Sequence, residues 1–439
     1  MKFYDRTKEL DLFSRIYQRS ANEAQMTVLV GRRRIGKTEL ALRCGGTNPL
    51  LYFFVARKSE RMLCQDFAAE IEQKLCIPMG DYSSFAQLFR QLMFISQTQS
   101  FTLVMDEFQD WMRINPSVFS EIQREWDLGR NGSKMNLIIS GSVYSMMKRI
   151  FEDSKEPLFS RAQQTIRLKA FETNVLKEIL HDHHPDYTPQ DLLTLYGMTH
   201  GVAWYVGLLM NNECYTSQAM LDMLTEENSP FINEGRNLLI EEFGADYARY
   251  FSILSTIADG EMTRTQIENV TGIHEIGGYI ERLKNHFDLI ASSTPIFAKS
   301  GSKGLRYQIS DNFLTIWFRF FYKYQRYIES GGLAQLKRIV DRDMSSVDGF
   351  MLERYFRQKL MESKQFTHVG QFWDRKGEHE IDIVAVNEID RLAYVYEVKK
   401  DPHRYSEAAL KEKVDYMLSV TPQLKQMDIT LGCLSLEDM

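Results

Sequence analysis

The chain has 439 residues, a net charge of −6, 44% hydrophobic and 26% charged residues. That composition is ordinary for a globular chain of roughly two to four domains. It excludes a globally basic nucleic-acid binder and leaves a local basic face open. The five cysteines (Cys44, Cys64, Cys76, Cys214, Cys433) form no CxxC pair, which argues against a disulfide framework or a zinc ribbon. Met1 to Leu12 is charged, and no apolar run reaches the roughly eighteen residues of a membrane helix. A cytoplasmic protein with no membrane partner is expected.

Leu10, Phe13 and Ile16 recur at helical spacing, which predicts a helix over 7–19. Val28-Leu29-Val30 then runs into Gly31-Arg32-Arg33-Arg34-Ile35-Gly36-Lys37-Thr38, a complete GxxxxGKT. Gly31 and Gly36 let the backbone turn so that successive N–H groups face an anion, and the following helix start favours negative charge. Residues 31–38 are therefore the candidate ATP-binding loop. Lys37 would reach the β- and γ-phosphates, and Thr38 would ligate Mg²⁺.

A second strand is predicted over 50–55, then amphipathic helices over 60–76 and 84–97. Phe101-Thr102-Leu103-Val104-Met105 ends in Asp106-Glu107, two acids at the carboxyl end of a buried strand. Asp106 can hold the Mg²⁺ hydration shell beside Thr38, and Glu107 can take a proton from the attacking water. The strand Asn136–Ile139 runs into Ser140-Gly141-Ser142, whose hydroxyls are candidate partners of the γ-phosphate or the water. Arg161 precedes a fifth strand, Thr165–Leu168, and is a candidate to neutralise transition-state charge, its bland alternative being a surface salt bridge. Strands alternating with helices give a parallel α/β sheet.

GRRRIGKT, LVMDE, IISGS, PLFSR and the opening FYDRTKEL together resemble archaeal-type ATPases of the AAA+ and STAND-like branch of phosphate-loop proteins, over about residues 1–230. The resemblance implies strand order 5-1-4-3-2 and a helical lid. The lid turn of that family is Gly-Gly-x-Pro-like, whereas this chain has His200-Gly201-Val202-Ala203-Trp204, which weakens the case for a nucleotide contact there.

Residues 172–243 read as the helical lid. His181-Asp182-His183-His184 within it, followed by Pro185, reads as a solvated loop rather than a zinc site. Residues 244–310 read as a winged helix: helices over 250–257, 263–270 and 274–287, then a hairpin over 289–309. Arg282, Lys284 and His286 on the third helix and Lys299, Lys303 and Arg306 on the hairpin are candidate DNA contacts, weighed evenly against protein packing. The aromatic run 311–322 opens a connector (311–345) that is expected to pack between domains.

The last segment, 346–439, holds a second constellation. Glu353 lies in an amphipathic helix, and Glu380–Val386 and Ala393–Lys399 read as paired strands. Residues two apart on a strand share a face, so Glu397 and Lys399 point together. With Asp382 across the hairpin, two carboxylates can hold Mg²⁺ or Mn²⁺, and Lys399 can orient a water for attack on a phosphodiester. Glu353, Asp382 and Glu397-x-Lys399 resemble the PD-(D/E)xK nuclease superfamily, whose restriction-endonuclease-like α/β domain is thereby implied, with Glu353 a carboxylate acting through the metal's outer shell. The resulting expectation is an ATP-hydrolysing protein that acts on DNA, forming a homo-oligomer or meeting a partner protein. The alternative is a regulatory ATPase whose winged helix and tail only dock.

Overall fold

A computed structural model describes residues 1–243, 247–299 and 304–439. Two compact units divide the chain: Tyr4–Lys169, and Ala170–Met439 together with Met1–Phe3.

The first unit opens with helix α1 (Thr7–Ser20). Its sheet comprises β1 (Gln25–Val30), β2 (Leu50–Phe54), β3 (Phe101–Asp106), β4 (Met135–Gly141) and β5 (Gln164–Arg167), in the order β2-β3-β4-β1-β5. Every neighbouring pair is parallel. This is the expected α/β sheet in the expected order. β1, β3 and β4 are buried along their whole length, because helices cover both faces of a parallel sheet. Val28, Leu103 and Ile139 build the core with Phe67, Phe85 and Trp111. Phe53 and Phe67 stack with centroids 4.2 Å apart.

The second unit begins with five helices, Thr173–His183, Pro189–Thr199, Ala203–Asn211, Ser217–Thr225 and Glu234–Phe243. The first of these corrects the expected loop at 181–184: the helix runs through His183. The proline restriction falls on the preceding residue, and His184 alone leaves the helix, at φ −149°. Next come helices Tyr247–Ile257 and Arg264–Thr271 and a third that starts at Gly277, not at His274. Glu275 sits at φ 57°, where a helix cannot propagate. The strands β6 (Met262–Thr263), β7 (Ile290–Ser293) and β8 (Arg306–Ile309) form an antiparallel sheet in the order β6-β8-β7. Lys303 lies outside the described residues.

Helix Asn312–Ile316 continues as a π-helical turn, Trp317–Tyr322. Trp317, Phe318, Phe320 and Phe321 are buried, and Trp317 Nε1 donates to the Ile232 carbonyl at 2.7 Å, so these rings pack rather than offer stacking faces. A 30-residue helix, Leu333–Glu362, follows and carries the expected 345/346 boundary inside it. The chain ends in β9 (His368–Trp373), β10 (Glu380–Asn387), β11 (Leu392–Val398), helix Glu407–Val420 and β12 (Asp428–Leu434). The sheet order is β12-β11-β10-β9, antiparallel at β9/β10 and β10/β11 and parallel at β11/β12. Val384, Val386, Ala393 and Val395 on one face of this sheet form a core with Leu410, Val414 and Met417 of the last helix.

Candidate functional sites

The glycine loop lies between β1 and helix α2 (Lys37–Arg43). Gly36, at φ 97°, takes a turn that a side chain resists, and a Cβ on Gly31 would stand 2.7 Å from the Leu168 carbonyl oxygen. Lys37 is buried, and its ammonium donates across the loop to the carbonyls of Gly31 (2.8 Å) and Arg32 (3.0 Å). Burial lowers its pKa to about 8, against the opposing pull of Glu107 and Asp106.

Parallel pairing brings the end of β3 to this loop. Thr38 Oγ1 donates to Asp106 Oδ2 at 2.7 Å, and the Tyr52 hydroxyl donates to the same oxygen at 2.9 Å. Burial, and then Asp106, raise the Tyr52 phenol pKa. The backbone N–H of Glu107 donates to Asp106 Oδ1 at 3.0 Å. Glu107 adopts φ 53°, and its Oε2 accepts from Ser142 Oγ (2.6 Å) and Gln109 Nε2 (2.5 Å). A hydroxyl and a carboxylate side by side form a hard-oxygen donor set that suits Mg²⁺. Tyr52 and Gln109 escaped the sequence reading. The signals were a lone phenol in an apolar strand and an amide two residues beyond the acid pair.

Two expected participants make no hydrogen bond to the loop among the described residues. Ser140 is fully buried inside β4 opposite Leu29, its hydroxyl without a hydrogen-bond partner among the described residues, and it is Ser142 that bonds Glu107. Arg161 bonds Asp127 at 3.1 Å and the Phe159 carbonyl at 2.9 Å, an exposed ion pair.

The second cluster forms where the β10/β11 ladder ends. The last paired residues are Ile383 and Tyr396, so the next pair in register would be Asp382 and Glu397, on the Val384/Val395 face. A register shift against β9 between Ile381 and Val384 re-aims the strand at this point. Asp382 Oδ2 accepts the Val398 N–H at 2.8 Å, substituting for the missing ladder bond. Lys399 Nζ donates to Glu397 Oε2 at 2.7 Å and lies 3.9 Å from Asp382 Oδ2. Lys413, from the last helix, donates to Glu397 Oε1 at 2.6 Å.

Burial raises the Asp382 pKa, against the Val398 N–H bond. Burial acts the same way on Glu397, but the hydrogen bonds from Lys399 and Lys413 outweigh it and hold that carboxyl low. Glu353 is pushed up to about 8 by burial and then by Asp382. Its Oε2 lies 4.0 Å from Arg357 Nη1, which has no hydrogen-bond partner among the described residues; Glu261 Oε1 is likewise buried and unpartnered. The carboxylates and the orphaned Glu261 oxygen suit a hard, hydrated Mg²⁺ or Mn²⁺, while Cys433, paired in register with Glu397 on β12, places one thiol beside them. Lys413 was missed because its Lys-Glu-Lys context reads as a solvated face.

The candidate DNA-facing cations divide. Arg282, Lys284, His286 and Lys299 are exposed, with Lys284 bonding Ser292 Oγ at 2.6 Å. Arg306 instead pairs with Glu380 at 2.5 Å and lies over the Trp373 ring at 4.4 Å. Asp374, Glu378 and His379 also converge within 4.8 Å at the β9–β10 turn, but Asp374 already bonds His379 Nδ1 and the Glu378 N–H.

A Walker-type ATPase of Pyrococcus abyssi superposes with a TM-score of 0.54 at 18% identity, covering 72% of this chain and 96% of that one. The chain shares its fold with that ATPase. The Aeropyrum pernix ORC2 protein, solved as ADPNP-ADP complexes, gives a TM-score of 0.50 at 14% identity, covering 74% of this chain and 95% of its own. An uncharacterised protein of Methanocaldococcus jannaschii is 27% identical over 406 residues, 90% of this chain and 87% of that protein. A family model described as archaeal and bacterial proteins of unknown function matches residues 317–411. That stretch holds Glu353, Asp382, Glu397 and Lys399 and stops two residues short of Lys413. Among the described residues no helix is long and apolar enough to cross a membrane.

Proposed function

We propose that the chain binds and hydrolyses ATP at residues 31–38, and that nucleotide state is coupled to DNA engagement by the second unit. The observation that carries this reading is the 2.7 Å contact of Thr38 with Asp106 at the strand end that also presents Glu107. Loop N–H groups surround the phosphates. Lys37 exchanges the Gly31 and Arg32 carbonyls for β- and γ-phosphate oxygens. Thr38 and Asp106 would hold Mg²⁺, which would supply positive charge beside those oxygens. Ser142 and Gln109 orient Glu107, whose free Oε1 takes the proton of the attacking water. Single-turnover release of γ-phosphate tests this: Lys37→Ala should lose tight ATP binding, and Glu107→Gln should bind ATP yet release no phosphate. Unchanged affinity in the first or a wild-type rate in the second removes that residue from its role.

The same proposal extends to the C-terminal sheet, read as a PD-(D/E)xK-like nuclease domain. Its support is Asp382, Glu397 and Lys399 sharing one face at a sheet of mixed order β9-β10-β11-β12. Residues 247–309, three helices and a small antiparallel sheet, fit a winged helix. A docking role without cleavage is favoured by one observation: both oxygens of Glu397 are already neutralised by lysines. Incubating plasmid with Mg²⁺ or Mn²⁺, with and without ATP, separates the two readings.

A further inference from the structure

The last helix presents an apolar stripe, Leu410, Val414 and Met417, to the sheet. Lys413 falls on that stripe by helical spacing, next to Val414 and one turn after Leu410. Its stem covers apolar surface while its ammonium reaches the open end of the face, where β10 and β11 separate. There it contacts Glu397 Oε1 at 2.6 Å, with 28% of its side chain exposed against 8% for Glu397. Lys399 holds the other oxygen. Each Glu397 oxygen thus already accepts from an ammonium, and a divalent ion that approaches either oxygen meets that positive charge unless the ammonium moves. Lys399 is held by two carboxylates, Glu397 at 2.7 Å and Asp382 at 3.9 Å, whereas among the described residues Lys413 pairs with Glu397 alone. Lys413, on a separate helix with three donors and a flexible four-carbon stem, is the cation that can leave.

We propose that Lys413 is the resident counter-cation of Glu397, which a divalent metal displaces, and that the displaced ammonium then faces the phosphate of a bound nucleic-acid strand. This rests on the reading of the cluster as a metal-dependent phosphodiester site. Removing Lys413 deletes a competitor for Glu397 and leaves the acids with less positive charge around them, so metal affinity rises. It also deletes a cation that a polyanion would meet, so affinity for nucleic acid falls.

The test uses the full chain without nucleotide. Mn²⁺ binding is titrated calorimetrically, and the component abolished by Glu397→Gln is taken as this site. Lys413→Gln is expected to tighten that component about two- to fivefold, the range set by a partly exposed ion pair, while Lys413→Arg stays near wild type. Affinity for a duplex oligonucleotide, read by anisotropy in Ca²⁺, is expected to fall in Lys413→Gln and recover in Lys413→Arg. A merely structural lysine would weaken metal binding when removed, because the strand ends would loosen. Mn²⁺ binding in Lys413→Gln that is equal or weaker overturns the counter-cation role. Unchanged oligonucleotide affinity overturns the phosphate contact. Absence of any Glu397-dependent Mn²⁺ binding in the wild-type protein overturns the metal site itself, a separate result from the other two.

Discussion

Lys37 shows how one side chain is set between two roles. Its ammonium is buried against two carbonyls, and burial brings its pKa down to about 8 from an ordinary 10.5. Between those values the unfolded chain binds the proton and the folded chain does not, so Lys37 contributes increasing stability as pH rises through that window. A phosphate brought against the ammonium reverses the shift, because negative charge favours the protonated form. ATP binding at pH 8.5 is therefore expected to take up a substantial fraction of a proton. Calorimetry in two buffers of different ionisation enthalpy reads this directly, and identical binding heats would refute it. Arg161 is the contrasting case. An exposed pair with Asp127 contributes at most about 1 kcal/mol, so Arg161→Ala is expected to leave melting and nucleotide binding near wild type. A large loss of ATP affinity would show that Arg161 leaves Asp127 for the nucleotide.

At the scale of elements, the helix Leu333–Glu362 carries Glu353 toward the strand-borne acids. A carboxyl lifted to about 8 binds its proton in the folded state across the range where the unfolded chain has lost it. Stability from this group is full below the unfolded value and declines as pH rises toward 8. In metal-free protein Glu353→Gln should flatten that decline, raising the melting temperature at pH 8 more than at pH 5.5; parallel profiles for the two proteins would show that Glu353 is not the titrating group. The elements most legible from sequence are those with one physical cause. β1, β3 and β4 are continuous apolar runs because both faces are buried, and Gly36 marks the loop because few other residues accept its backbone angle. Less legible are features set by tertiary neighbours. The helix after His274 starts late because Glu275 turns into the left-handed region. Lys413 has the sequence context of a surface lysine, and only the sheet end beside it makes it a partner of Glu397. The site at Asp382 was half visible: alternation gave the shared face of Glu397 and Lys399, whereas the register that sets Asp382 opposite Glu397 is fixed by where the β10/β11 hairpin closes, at Asn387 and Leu392.

At the scale of the molecule, each compact unit has its own acid-rich site, and the two depend on different chemistry. The loop of the first unit needs a nucleotide to bring phosphate to Lys37. On the proposed reading the cluster of the second would need only a divalent ion, which would take over from a lysine as counter-charge to Asp382 and Glu397. Cleavage of DNA should therefore require Mg²⁺ or Mn²⁺ and should survive, in the absence of ATP, in the Lys37→Ala protein. Asp382→Ala, Glu397→Ala and Lys399→Ala should each remove it while ATP turnover continues, since the loop, Asp106 and Glu107 all lie in the other unit. Glu353→Ala should slow it without abolishing it, the 10- to 100-fold range being usual, roughly, for a group acting through the metal's outer shell. A supercoiled plasmid resolved on a gel, scored for nicking with each variant and each metal, reads all of these together. If ATP hydrolysis proceeds and no variant or metal condition nicks DNA, the lysines on Glu397 are permanent partners, and the sheet is a docking surface whose acids are neutralised for good. If nicking appears only with ATP and disappears in Lys37→Ala, the C-terminal site is held inactive until the nucleotide site is filled, and the coupling runs from the first unit to the second.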